Sequence, residues 1–244
     1  MGKCIAVASL LVLVQGAILA QEEEEEISVN FELGVFSKYV YRGILITDDA
    51  VAQPLVELEW QGLTFGVWSN HDLTNINGTD FEPSEVDYIL SCERDVAGVT
   101  FEAGAVRLCF PNTPYEATTE LYLKAELSDI PFAPSLGLYR DVDEVEGTYA
   151  SLSFEQDVVL GETAALSLGL ALGYGSSDHN VAYYGVDDGA LADVVARATL
   201  GVALSENISV GTTVAFSSLL DDDVRDIAPE PDNVVIGVTF IAKF

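Results

Sequence analysis

From Ile27 onward apolar residues take every second position: Ile27, Val29, Phe31, Leu33 and Val35 alternate with Ser28, Asn30, Glu32 and Gly34. A repeat of two marks a strand with one face in an apolar medium and the other in a polar one. The next two runs, 53–60 and 63–70, flank Gln61-Gly62, a dipeptide suited to a two-residue hairpin turn. Pairing across it sets Trp60 opposite Leu63, Leu58 opposite Phe65 and Val56 opposite Val67 on one face, with Glu57, Glu59, Thr64 and Gly66 on the other. A slip of one residue would drive carboxylates onto the apolar side, so the pattern itself fixes the register.

The same arithmetic recurs down the chain. Val86, Tyr88, Leu90 and Cys92 are predicted to pair with Val99, Phe101, Ala103 and Ala105 across a turn at 95–98, leaving Glu85, Asp87, Glu93 and Glu102 on the reverse face. Thr119, Leu121, Leu123, Ala125 and Leu127 face Leu136 and Leu138, backed by Glu120, Tyr122, Lys124, Glu126 and Tyr139. Ala150, Leu152 and Phe154 match the leucines at 166–172 with Glu155 and Gly169 behind, and 194–204 turns through Ser205-Glu206-Asn207 into 208–216. The last run carries Val234, Ile236, Val238, Phe240, Ala242 and Phe244 on one face, and no segment asks for a helix.

Long connections (37–52, 70–84, 175–189, 218–233) tend to alternate with short ones (61–62, 95–98, 205–207), whereas those near 142–147 and 157–164 break the rule. The pattern predicts an all-β fold, a single transmembrane antiparallel up-and-down β-barrel of about twelve strands over 27–244, its apolar face toward outer-membrane lipid.

The chain starts with a short positive stretch, an apolar run over 4–14 and a small-residue exit, Gly16 to Ala20. This predicts a secretory signal peptide over 1–20, since the run falls short of the roughly 20 residues that span a bilayer. Residues 21–26, with Glu22 to Glu26, form an acidic tail. A terminal aromatic, Phe244, at the end of an alternating strand resembles the insertion signal of bacterial outer-membrane barrels, which makes the barrel-assembly machinery an expected partner and the bacterial outer membrane the expected location.

Charge sharpens the reading. Asp and Glu number 40 against 10 Lys and Arg, a net charge of −30, yet mean hydropathy is +0.29. So few cations exclude nucleic acid as a partner. If the apolar faces are outside, Glu57, Glu59, Asp87, Glu93, Glu102, Glu120, Glu126 and Glu155 line the lumen, with Lys124, Arg197 and Arg42 set against them. Such a wall favours cations, and the expected function is passive diffusion of small, preferentially cationic or neutral solutes. The small inner residues Gly169, Ala171, Gly173, Gly201, Gly211, Thr213 and Ala215 leave space on one side. The alternatives are a closed barrel, structural or surface-binding, whose carboxylates are merely solvated or paired, and a soluble acidic β-domain with its aliphatic residues in a central core.

Enzyme chemistry finds little support. The only histidines, His71 and His179, are expected in loops; Ser69 shares a strand face with His71, but no third group is identifiable to orient the imidazole, and two distant histidines are too few for a catalytic metal. No metal site and no cofactor are implied. Asp221 to Asp223 read as solvated loop charge, and Cys92 and Cys109, with Cys92 expected opposite Phe101, as small apolar fillers too far apart to bridge.

Phe36-Ser37-Lys38-Tyr39-Val40-Tyr41-Arg42-Gly43-Ile44 after the first strand resembles the recurrent opening of the TorF-type porin family. Gly66-Val67-Trp68-Ser69-Asn70 and Glu85-Val86-Asp87-Tyr88 continue the likeness. The resemblance implies an outer-membrane barrel with pore function. A single guanidinium at Arg42 in an acidic setting is expected to pair with inner carboxylates and fix the first loop.

Overall fold

A computed structural model describes residues 27–79 and 81–244. The expected signal peptide and acidic tail lie outside the described residues. Twelve strands close into one antiparallel barrel: β1 (Ser28–Phe36), β4 (Val51–Trp60), β5 (Leu63–Asp72), β6 (Pro83–Val96), β7 (Val99–Cys109), β8 (Thr118–Glu126), β9 (Ser135–Asp141), β10 (Thr148–Val159), β11 (Ala164–Gly175), β12 (Ala190–Ala203), β13 (Ile208–Leu219) and β14 (Asp232–Lys243). Each pairs with its neighbours in sequence, and β1 closes the ring on β14 through pairs such as Leu33↔Phe240. Closure leaves no free edge, which is how so apolar a last strand is accommodated. The apolar side chains point away from the barrel axis: Leu136 is 60% exposed, Val234 53% and Phe65 48%. A central aliphatic core, the hallmark of the soluble alternative, is not what these residues build.

The predicted register at the first hairpin is the observed one, Trp60↔Leu63, Leu58↔Phe65 and Val56↔Val67. At the next hairpin it differs. The turn is two residues, 97–98, because Ala97 (φ 55) and Gly98 (φ 82) both adopt the left-handed region that tight hairpins need. Cys92 therefore lies opposite Ala103, not Phe101. The shift is by two residues, so every side chain keeps its face, and Cys92 and Cys109 are free.

Connections 61–62, 97–98, 160–163 and 204–207 are short and lie at the end that holds Phe244; the eight-residue turn 127–134 joins them there. The other end carries 37–50, 73–82, 110–117, 142–147, 176–189 and 220–231. These are called the turn end and the loop end below.

Helices, which the alternation did not ask for, occur in two of the loops. Helix α1 (Ser177–Tyr184) starts at the Ser176 cap and stops at Gly185 (φ 76), while α2 (Asp222–Ile227) is capped by Asp221, whose carboxylate accepts from the amides of Asp223 and Val224. The acidic run 221–223 is thus a helix start, where carboxylates meet the positive end of the helix dipole. Both helices pack over the loop end, where Tyr149, Tyr184, Val186, Ala192, Leu219 and Val224 form a buried apolar cluster. No helix among the described residues is long and apolar enough to cross a membrane.

Candidate functional site

Loop 37–50 does not stay outside the barrel. It contains a hairpin, β2 (Tyr39–Tyr41) and β3 (Ile44–Thr47), turned at Arg42-Gly43. Both turn residues have positive φ (46 and 84), the geometry of the tightest hairpin connection. A methyl at Gly43 would meet Cβ of Asp193 at 2.8 Å and Cδ2 of Leu219 at 2.6 Å, so glycine is required by close approach as well as by conformation. The hairpin is tied back at its base, where buried Asp72 accepts from Thr47 at 2.9 Å and from Asn77 at 2.8 Å.

Its tip crosses the bore. The Arg42 guanidinium donates to Glu120 on β8 at 2.8 Å and lies over the rings of Tyr41, Tyr139 and Tyr149 at 4.8, 5.0 and 4.2 Å. Tyr139 is on β9, six strands from β1 in either direction round the barrel. Tyr184 in α1 donates to the Arg42 carbonyl at 2.8 Å. Arg42 and Glu120 are each only 10% exposed in their side chains, so the ion pair is shielded from water, where charge attraction and cation–π contact are strongest. The expected pairing of Arg42 with an inner carboxylate is the arrangement seen.

Other carboxylates toward the loop end are also bonded. Glu85 accepts from Tyr39 at 2.9 Å, Asp193 from Tyr149 at 2.8 Å and Asp141 from Thr118 at 2.6 Å. Beneath the tip lies a cavity of about 340 Å³, bounded by Arg42, Asp87, Glu120, Tyr139, Tyr149 and Ser151, and one oxygen of Asp87 is buried there without a hydrogen bond.

Farther toward the turn end the bore changes. Glu102 accepts from Tyr122 at 2.6 Å and Lys124 at 2.9 Å, and Glu57 accepts from Asn30 at 2.9 Å. Glu59, Glu93 and Glu155 are exposed and their side chains make no hydrogen bond to another described residue. Glu126 shares the inner face through its pairing with Ser135, and Arg197 fills the space over Gly169. Of the candidate lumen residues named from the sequence, Arg42, Asp87 and Glu120 border the cavity at the hairpin tip, and the other eight lie on strands farther toward the turn end.

Sequence reasoning missed the hairpin and the ring of tyrosines. Its signal was present: Tyr39-Val40-Tyr41 and Ile44-Leu45-Ile46 flank Arg42-Gly43 as apolar triplets around a two-residue turn. The rings of Tyr122, Tyr139 and Tyr149 stack in sequence on neighbouring strands, and His179 continues the stack at 5.4 Å from Tyr149. His179 lies in α1, buried, with its imidazole held neutral: burial first, then the nearby Arg42 charge, lower its pKa to about 3.

His71 is in β5 rather than a loop. Its Nε2 is 3.1 Å from Ser69 Oγ and its Nδ1 3.3 Å from the Phe81 carbonyl. The flanking Asn70 and Asp72 are buried inside the barrel, so alternation puts this pair on the outer wall, away from the bore.

No family model matches the chain, and no curated protein matches it in sequence. Among solved structures the chain is similar to the KdgM porin, crystallised in complex with disordered oligogalacturonate, with a TM-score of 0.56 and 10% identity over 89% of this chain and 99% of that one. It is also similar to the NanC porin, with a TM-score of 0.55 and 11% identity over 88% of this chain and 98% of the other. Both neighbours are porins rather than enzymes. At such identities the likeness is one of fold, and it defines the class: a closed, antiparallel barrel of twelve strands.

Proposed function

We propose that this chain is an outer-membrane channel of the porin kind, through which small cationic and neutral solutes diffuse passively. One observation carries the reading: a closed barrel with an apolar outer wall and a carboxylate-lined inner wall. Only lipid is a fitting surround for the first, and only water and ions for the second. In this reading the loop end faces outward and the turn end faces the periplasm, with residues 1–20 as the export signal and Phe244 as the mark read by the assembly machinery. Kinship with the TorF-type porin family rests on 36–44, 66–70 and 85–88 alone.

Solute charge separates this chain from its structural neighbour. Oligogalacturonate is a polyanion, and a bore bearing Glu57, Glu59, Glu93, Glu102, Glu126 and Glu155 against Lys124 and Arg197 repels it. The solutes proposed here are cationic or neutral. The chemistry needs no cofactor: field and width do the selecting.

A second reading draws on the hairpin. Because β2 and β3 cross the bore and Arg42 is anchored on the far wall, the barrel can serve as a closed scaffold or surface-binding protein. Purified protein added to planar bilayers decides between them. Stepwise conductance supports the channel, and bilayers that stay silent while the protein inserts support the closed barrel.

A further inference from the structure

Basic residues are scarce in this chain, ten against 40 acidic, yet two arginines are placed on the outside of β7 and β9 near the loop end. Arg107 sits between Val106 and Leu108, which line the central cavity, and Arg140 sits between Tyr139, which stacks inside on Tyr149, and buried Asp141. Alternation therefore turns both guanidiniums outward. Thr119 and Thr148, next to the inward Glu120 and Tyr149, face the same way.

The register brings the four onto consecutive strands at the loop end. Arg107 on β7 pairs with Thr119 on β8, and Arg140 on β9 with Thr148 on β10. Arg107 Nη1 donates to Thr119 Oγ1 at 2.9 Å and to Asp143 at 2.6 Å, and Arg140 Nη1 donates to Thr148 Oγ1 at 3.0 Å. Thr119 and the ion-paired Asp143 both hold Nη1 of Arg107, and Thr148 holds Nη1 of Arg140, so Nη2 of each guanidinium makes no hydrogen bond to another described residue. Among the described residues Arg140 has no carboxylate within ion-pairing distance and is exposed.

What lies beside these arginines indicates the partner. Tyr88, paired with Arg107, and Tyr174 are both exposed on the outer wall, as aromatic side chains are at the edge of a lipid belt. Toward the turn end follow Leu121, Leu123 and Leu138, a bare aliphatic track. On the opposite wall the loop-end arginine, Arg225, is tied to Asp232 and Ser218 on the outward face, so Arg140 is the loop-end outer arginine left without a carboxylate among the described residues. An arginine costs far more at the middle of the belt than near its edge, so the edge is where a guanidinium can be kept for use. A planar fork with free N–H groups matches a phosphate in bidentate fashion.

We infer that the loop-end rim of β7 to β10 is a binding site for the phosphorylated headgroup of a membrane lipid, with its acyl chains along the leucine track. The inference rests on the bilayer setting proposed above and is independent of conductance. Insertion is scored first, by flotation of the full chain with nanodiscs. Native mass spectrometry of the folded barrel then titrates a phosphorylated glycolipid, its dephosphorylated counterpart and inorganic phosphate. The phosphorylated lipid is expected to be retained selectively, and Arg107→Gln with Arg140→Gln to weaken it by about tenfold or more, each lost charge-assisted contact contributing. Arg94→Gln, which removes an outward arginine at the turn end, is expected to leave retention unchanged. Equal retention of the dephosphorylated lipid, undiminished binding to the double variant, or inorganic phosphate competing at equal concentration would each overturn the assignment. Heat-modifiable mobility on gels confirms that the variants are folded.

Discussion

In the half of the bore nearest the loops, Glu85, Glu120, Asp141 and Asp193 each accept a short hydrogen bond from Tyr39, Arg42, Thr118 and Tyr149. In the other half Glu59, Glu93 and Glu155 stand exposed, with no hydrogen bond from their side chains to another described residue. Both halves are built from the same alternating strands, and both present carboxylates inward. The difference comes from what faces the wall. The hairpin brings the Tyr39 phenol to Glu85 and the Arg42 guanidinium to Glu120, and the wall itself supplies Thr118 to Asp141 and Tyr149 to Asp193, whereas at the turn end Glu102 and Glu57 are bonded and Glu59, Glu93 and Glu155 are exposed. We propose that the first group, at the loop end, holds the constriction and the second, exposed at the turn end, selects the solute.

The strongest way to break this contrast is to remove the hairpin. Replacing 38–48 by a short Gly-Ser turn is expected to raise single-channel conductance several-fold, because the far-wall anchor and the turn go together. Unchanged conductance would show that the constriction lies elsewhere. Arg42→Ala is the next largest. It removes an ion pair shielded from water and leaves Glu120 unpaired, at a cost on the order of 3 kcal/mol to hairpin docking. Current fluctuations should grow and cation preference should rise, since a fixed positive charge leaves the bore.

Acidification probes the same half more gently. His179 is neutral in the fold with a pKa lowered to about 3, against an ordinary value of 6.5. Between those values the unfolded segment binds a proton that the folded one refuses. The contribution of His179 to the loop-end packing is therefore complete above pH 6.5 and declines as pH falls toward 3. Proteolysis of loop 176–189 should accelerate over that window, and His179→Gln should flatten the dependence. The smallest effect belongs to the turn end: Glu93→Gln with Glu155→Gln should lower cation preference at low salt and vanish as salt is raised, because exposed charges are screened within about 10 Å at 0.1 M.

Much of this division was legible in the sequence, and the reasons for the rest are physical. Period-two alternation is imposed by the two media, so strands such as β4 and β5 follow from the pattern alone. Where the chain leaves the belt that constraint lapses. Helix α1 buries His179, Asn180 and Tyr184 rather than an aliphatic stripe, and its marks are only a serine cap and a terminal glycine. The hairpin at 39–47 is held by partners as distant in sequence as Glu120 and Tyr184, which no local pattern can announce. Ser69 and His71 were expected to share a face, but His71 was expected in a loop, and that it lies within β5 required coordinates.

The central claim is that unbonded carboxylates set the sign of what passes. Reversal potential of the purified chain in a planar bilayer under a salt gradient tests it most directly. A potential of the sign that marks cations as the more permeant species, collapsing toward zero as both compartments are brought to high salt, is the predicted result. A potential of the opposite sign would contradict the account.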